Sequence, residues 1–110
     1  MKFEVIYAEQ ALNDLLGIRH YIATELLAPE TARRWSERIM AAIEGLNEMP
    51  NRHPLVGKDP WRSRGLRKLV VNHFVVFYLP MEKRRQVLIL TILFGKRDLT
   101  KILSSMETKP

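Results

Sequence analysis

The chain has no cysteine among its 110 residues. Disulfide staples and thiolate chemistry are therefore excluded, and the composition fits a reducing cytoplasm. Histidine is scarce. His20, His53 and His73 are scattered without metal-ligand spacing, so no metal site is expected. The five glycines build neither a phosphate-cradling loop nor a nucleophile elbow, an HExxH pattern is absent, and no cofactor is expected. The longest apolar run is eight residues, far short of the ~18–20 that a membrane span needs. Glu4 stands where the apolar segment of a signal peptide would begin, so a cytoplasmic protein with no membrane contact is expected. Acids fall mainly on outward helix faces, and no paired-carboxylate site is visible.

What is present is a globular composition with an excess of positive charge. Hydrophobic residues make up 46% and charged residues 27%, enough for one core in a single domain spanning 1–110. Eighteen lysines and arginines against twelve acids give a net charge of +6. That imbalance implies anionic partners, either nucleic acid or an acidic protein, with a plain solubility charge as the alternative.

The organising stretch runs from Gly65 to Asp98. Leu66–Val71, Phe74–Leu79 and Gln86–Phe94 are rich in β-branched and aromatic residues and are separated by short breaks. Such breaks suit antiparallel neighbours, because a parallel crossover needs ~12 residues or more. The run Val87–Phe94 is too continuously apolar for a half-wet strand and predicts a central strand covered on both sides. It stops abruptly in Gly95-Lys96-Arg97-Asp98.

Before this stretch, Lys2–Tyr7 alternates with period two and predicts a first strand. Ala11, Leu15, Ile18 and Ile22 then recur at helical spacing and predict a helix from Glu9 to about Leu26. Pro29 restarts the chain, and Ala32, Trp35, Ile39, Ile43 and Leu46 mark a second helix from Glu30 to about Glu48. Met49 to Arg64 has no periodicity and reads as an ordered loop. Leu99, Ile102, Leu103 and Met106 predict a short closing helix, with Asp98 as its N-cap. The expected fold class is α+β in the order β-α-α-β-β-β-(α). A two-helix hairpin packs on one face of an antiparallel twisted sheet.

The candidate functional residues are cations and one aromatic. Arg64 and Arg67 precede and open the second strand, Lys83, Arg84 and Arg85 fill the turn before the last, and Lys96 and Arg97 follow it. A meander places Arg64 and Arg67 at the end of the Lys83–Arg85 turn, and Lys96 and Arg97 at the opposite end with Asn72 and His73. Period two puts Arg67 and Lys68 on opposite faces. The turn cations serve either solvation or target binding. Trp61 either anchors its loop or offers a stacking surface. Arg97 either supports the start of a helix or contacts a phosphate or carboxylate.

The whole arrangement resembles the RelE/ParE superfamily of bacterial toxins, with the ParE-like branch favoured. The likeness rests on Ala11-Leu12-Asn13-Asp14-Leu15 through Tyr21-Ile22, Ile43-Glu44-Gly45-Leu46 before Pro50, Gly65-Leu66-Arg67-Lys68-Leu69, Val75-Val76-Phe77-Tyr78 and Ile92 through Asp98. The resemblance implies a plasmid-stabilising type II toxin neutralised by an acidic antitoxin, as a homodimer or a heterotetramer with it. ParE-like members inhibit DNA gyrase, whereas RelE-like members cut mRNA on the ribosome without a metal. Arg97 matches a transition-state-stabilising arginine of the RNA-cleaving branch and is catalytic in that reading alone. The branch's strand arginine falls at Val75 and its C-terminal tyrosine at Leu103. RNA cleavage needs a proton donor, for which His73 and Tyr78 are the substitutes. The incomplete set favours gyrase inhibition over mRNA cleavage.

Overall fold

The computed structural model describes residues 2–24, 27, 29–71 and 74–94, with Phe94 described by its backbone alone. The long apolar run forms β4 (Gln86–Phe94). With β1 (Glu4–Tyr7), β2 (Arg67–Val71) and β3 (Phe74–Met81) it makes one sheet in the order β1-β4-β3-β2. The meander β2-β3-β4 is antiparallel as expected. β1 joins β4 in parallel, from Glu4 opposite Gln86 to Tyr7 opposite Ile89, so the sheet as a whole is mixed. A parallel neighbour needs a long connection, and the helices and meander between the two strands supply it.

Both faces of the sheet are dry over Phe74–Tyr78 of β3 and Thr91–Leu93 of β4 and half-covered toward the turn that joins them, which accounts for their near-continuous apolar sequence. On one face Leu69, Phe74, Val76, Tyr78, Val87, Ile89 and Ile92 meet the helices. On the other, Val75, Phe77 and Leu93 meet Val56 and Leu66 from the loop and its exit. The helix-side cluster is the larger. Ile39 and Ile43 are fully buried in it, and burying each contributes about 1.5–3 kcal/mol.

A bulge reconciles β4 with these two faces. Phe77 pairs with Thr91 while Tyr78 pairs with Ile89, so Leu90 is an extra residue in β4. Ile89 and Ile92 therefore both face the helices although three positions separate them. The disturbed backbone is stitched by α1 (Glu9–Thr24): Ile92 N donates to Asp14 Oδ2 at 3.1 Å, and Thr91 Oγ1 donates to the same oxygen. Asp14 thus points to the sheet rather than to solvent, unlike the other helical acids.

α1 buries Ala11, Leu15 and Ile22, and α2 (Pro29–Glu44) buries Ala32, Trp35, Ile39 and Ile43, the stripes that their spacing predicts. Trp35 packs on Phe74 with ring centroids 4.7 Å apart. α2 ends earlier than expected, whereas the last residues expected of the first helix, Glu25 and Leu26, lie outside the described residues. In α1 the Thr24 hydroxyl turns back to donate to His20 O at 2.7 Å. α2 gives way at Gly45 to a 3-10 turn, Gly45–Asn47. The closing helix expected at Leu99–Met106 lies outside the described residues. Among the described residues no helix is long and apolar enough to cross a membrane.

The segment from Met49 to Gly65 is ordered, as expected. Val56 N donates to Leu66 O at 2.9 Å and Lys68 N to Pro54 O at 3.1 Å, so the loop runs as a short strap beside β2. The buried Tyr78 hydroxyl donates to Pro50 O at 2.7 Å and pins the start of the strap. Gly65 turns the chain into β2 at φ +89°, a left-handed conformation that side chains rarely adopt.

Candidate target-binding surface

The strap and the sheet decide where each cation points. Arg67 shares a register position with Tyr78, which faces the helices, whereas Lys68 shares one with Phe77, which faces the strap. The period-two expectation therefore holds, and the two residues serve opposite sides. Arg67 is half-buried and donates from Nη1 to His53 O at 2.6 Å, which fixes its side chain to the strap.

Arg67 also lies near the turn that joins β3 to β4, because Tyr78 is three positions from the end of β3 at Met81. Lys83 and Arg84 sit exposed in that turn. Arg85 closes it in a left-handed conformation at φ 54°. Its guanidinium lies 5.6 Å from the centroid of the Phe3 ring, and its carbonyl accepts from Glu4 N. Asn51 Nδ2 donates to Glu82 Oε1 at 2.9 Å, so the one acid of the turn is held by the strap. Arg52 caps the carbonyls of Gly45, Glu48 and Met49 and is committed to the fold.

On the strap side, Trp61 is half-buried and packs on the Val56, Leu66, Val75, Phe77 and Leu93 cluster. Anchoring the loop is therefore an observed role of Trp61. Arg64 is exposed, with its guanidinium 5.1 Å from the centroid of that ring, a cation–π contact of about 0.5–1 kcal/mol. Arg62 donates from Nη1 to Val56 O at 3.2 Å. Lys58, not singled out from the sequence, is exposed in the same turn, where its carbonyl accepts from Arg62 N at 3.0 Å. Lys96, Arg97, Asn72 and His73 lie outside the described residues, so the opposite sheet end expected for them is not described.

Counting charge by segment would have exposed Lys58. Residues 58–85 hold eight lysines and arginines against two acids, Asp59 and Glu82, a difference equal to the whole net charge of +6. Among the described residues the ion pairs are Lys2–Glu48 at 4.0 Å, Arg33–Glu30 at 2.8 Å and Arg33–Glu37 at 3.2 Å. None of them touches residues 58–85, so among the described residues only Asp59, beside Arg62, and Glu82 set negative charge within this positive segment.

Among the described residues, Asp59 and Tyr78 are engaged within the fold, and His53 packs edge-on to Tyr78. Asp59 accepts from Ser63 N at 2.9 Å and Ser63 Oγ at 2.6 Å; these bonds, with Arg62, hold its carboxyl below the usual range. It stays an anion at neutral pH and has no proton to give. His53 is kept below its ordinary value by burial and by Arg52. Its ring stands edge-on to Tyr78, centroids 6.3 Å apart. Burial pushes the Tyr78 phenol up, against the opposing effect of Arg67 and Arg52, and its hydroxyl is already donated to Pro50 O. Tyr78 is thereby removed as a proton donor to a bound substrate. Tyr7 is also raised by burial and by Glu44. Among the described residues, no set of three or more His, Asp or Glu side chains is placed to hold a metal. What the described residues of 58–85 offer is an excess of positive charge and a held aromatic, groups suited to binding anions.

The family described as "ParE toxin of type II toxin-antitoxin system, parDE" matches residues 5–99. No curated protein matches the chain in sequence. Among solved structures, the chromosomal ParDE system of P. aeruginosa aligns with a TM-score of 0.68 at 20% identity, over 86% of this chain and 98% of that one. The toxin–antitoxin complex RelBE2 of Mycobacterium tuberculosis aligns at 0.58 and 15%, over 86% and 99%. The isolated RelE toxin of E. coli aligns at 0.58 and 10%, over 97% and 99%. At these identities the likeness is one of fold.

Proposed function

Because this chain belongs to the ParE toxin family of type II toxin–antitoxin systems, we propose that it acts in the cytoplasm by inhibiting DNA gyrase and is held inactive by an acidic antitoxin. The observation that carries this reading is the charge of residues 58–85, free of described ion pairs. Such a surface recognises a polyanion or a protein bound to one. The solved ParDE and RelBE complexes that share its fold support an antitoxin partner, and an acidic one complements the net charge of +6. Purified full-length protein added to gyrase and relaxed plasmid should block supercoiling or trap cleaved DNA. Intact gyrase activity, together with codon-positioned mRNA cuts in expressing cells, would overturn the proposal.

The second reading, ribosome-dependent mRNA cleavage, draws on the fold shared with RelE and on Arg97 in its Gly95-Lys96-Arg97 setting. It predicts that Arg97→Ala abolishes toxicity while the fold is kept. A fully toxic Arg97→Ala protein removes that reading.

A further inference from the structure

The exposed large apolar side chains are concentrated before residue 58, whereas the surplus of positive charge lies after it. Of the seven large hydrophobic side chains exposed among the described residues, six lie before residue 58: Leu12, Leu16, Tyr21, Leu27, Met40 and Met49. Val70 on β2 is the seventh. From Gly57 to Arg64 the exposed residues are Gly57, Lys58, Asp59, Arg62, Ser63 and Arg64, all glycine or polar. A protein partner gains most from apolar area, whereas a phosphodiester backbone gains from cations on a fixed frame.

The strap is such a frame. It is tied to β2 by the Val56–Leu66 and Pro54–Lys68 backbone bonds and to the sheet face by Trp61. Lys58, Arg64 and Lys68 then stand within eleven residues of chain, and the one acid among them is engaged by Ser63. We propose that this strap face is a docking site for the sugar–phosphate backbone of duplex DNA. Lys58, Arg64 and Lys68 meet phosphates, and Trp61 holds Arg64 toward them. The proposal rests on the gyrase reading in its choice of duplex DNA, since gyrase works on a bound duplex. It goes beyond that reading by giving the toxin its own contact with the nucleic acid.

The test is the anisotropy of a labelled duplex titrated with full-length protein at several salt concentrations. Each phosphate neutralised contributes about 0.9 to the slope of log affinity against log salt. The variant Lys58→Ala/Arg64→Ala/Lys68→Ala should therefore flatten the slope by roughly two to three. Arg34→Ala/Arg38→Ala, which removes two exposed cations of α2, should leave it unchanged. Circular dichroism checks the fold, and Arg64→Lys with Lys58→Arg, which keeps the charge, should restore the slope. Equal slopes for the strap variant and the wild type overturn the proposal, as does equal flattening by the α2 variant. Tighter binding to single-stranded RNA than to the duplex also overturns it. A strap variant that keeps its DNA slope but no longer binds polyglutamate assigns the face to an acidic protein instead. Supercoiling is measured in parallel: DNA binding through the strap with gyrase unaffected keeps this proposal and removes the gyrase reading.

Discussion

The half of the chain that carries the helices and the segment that follows it solve different problems. Residues 1–57 hold six cations against eight acids, whereas residues 58–85 hold eight against two. The first half places Arg33 between Glu30 and Glu37 and exposes leucines and methionines. The second places arginines over an aromatic ring or against a carbonyl, leaving their charge uncompensated by described carboxylates. Paired charges on a helix surface stabilise it by a few tenths of a kcal/mol and leave little field at a distance. Unpaired charges of one sign project a field that a polyanion feels before contact. The difference teaches that the positive charge of this protein is concentrated in one segment, so substitutions of equal charge have unequal consequences in the two regions.

The two sheet faces allow the sharpest break of that comparison. Phe77, 1% exposed on the strap side, and Ile39, fully buried on the helix side, should each cost stability when cut to alanine. Expected losses are about 3–5 kcal/mol for Phe77→Ala and 2–5 for Ile39→Ala by urea unfolding. The tryptophans report separately. Phe77→Ala should red-shift the emission of Trp61, which packs on that cluster, while Trp35, on the helix side, keeps its environment. Ile39→Ala should do the reverse. A common response of both indoles would mean that the faces do not behave as separate units.

A smaller effect is expected where the halves are joined. Asp14→Ala removes the acceptor for Ile92 N and Thr91 Oγ1 and leaves these partly buried donors unsatisfied. The expected cost is about 1–3 kcal/mol. Hydrogen exchange of the Ile92 amide should accelerate more than that of Val76. An unchanged Ile92 rate would show that Asp14 does not hold the bulge.

The smallest effect concerns pH. His53 titrates below its ordinary value in the folded protein because burial and Arg52 disfavour its charged form. The unfolded chain therefore binds this proton more readily. Its contribution to stability is present above the unfolded pKa of about 6.5 and is lost as pH falls from there through the depressed folded value. The urea midpoint should drop between pH 7.5 and pH 5.5, and less in His53→Gln. An equal drop in both proteins would remove His53 as the source.

Periodicity made the helices and the meander legible, since apolar spacing reports which side of an element is dry. The doubly covered β4 was legible for the same reason, from the run Val87–Phe94. The parallel docking of β1 on β4 was not, because pairing between Glu4 and Gln86 leaves no mark in either segment. Asp14 looked like any outward helical acid, since only the bulge at Leu90 creates the donors it satisfies. Of the site, the shared sheet end of Arg67 and the turn followed from meander geometry, as did the opposed faces of Arg67 and Lys68. The strap's cover of the second face was hidden, because Met49–Arg64 has no period and docks through Trp61 and backbone bonds.

The central claim is that residues 58–85 face the cellular target. It is tested most directly by plasmid supercoiling in cells induced for the wild type, for Lys58→Ala/Arg64→Ala/Lys68→Ala, and for Arg34→Ala/Arg38→Ala. The account predicts relaxed plasmid with the wild type and the α2 variant, and normal supercoiling with the strap variant. Normal supercoiling with the α2 variant and relaxed plasmid with the strap variant would contradict it.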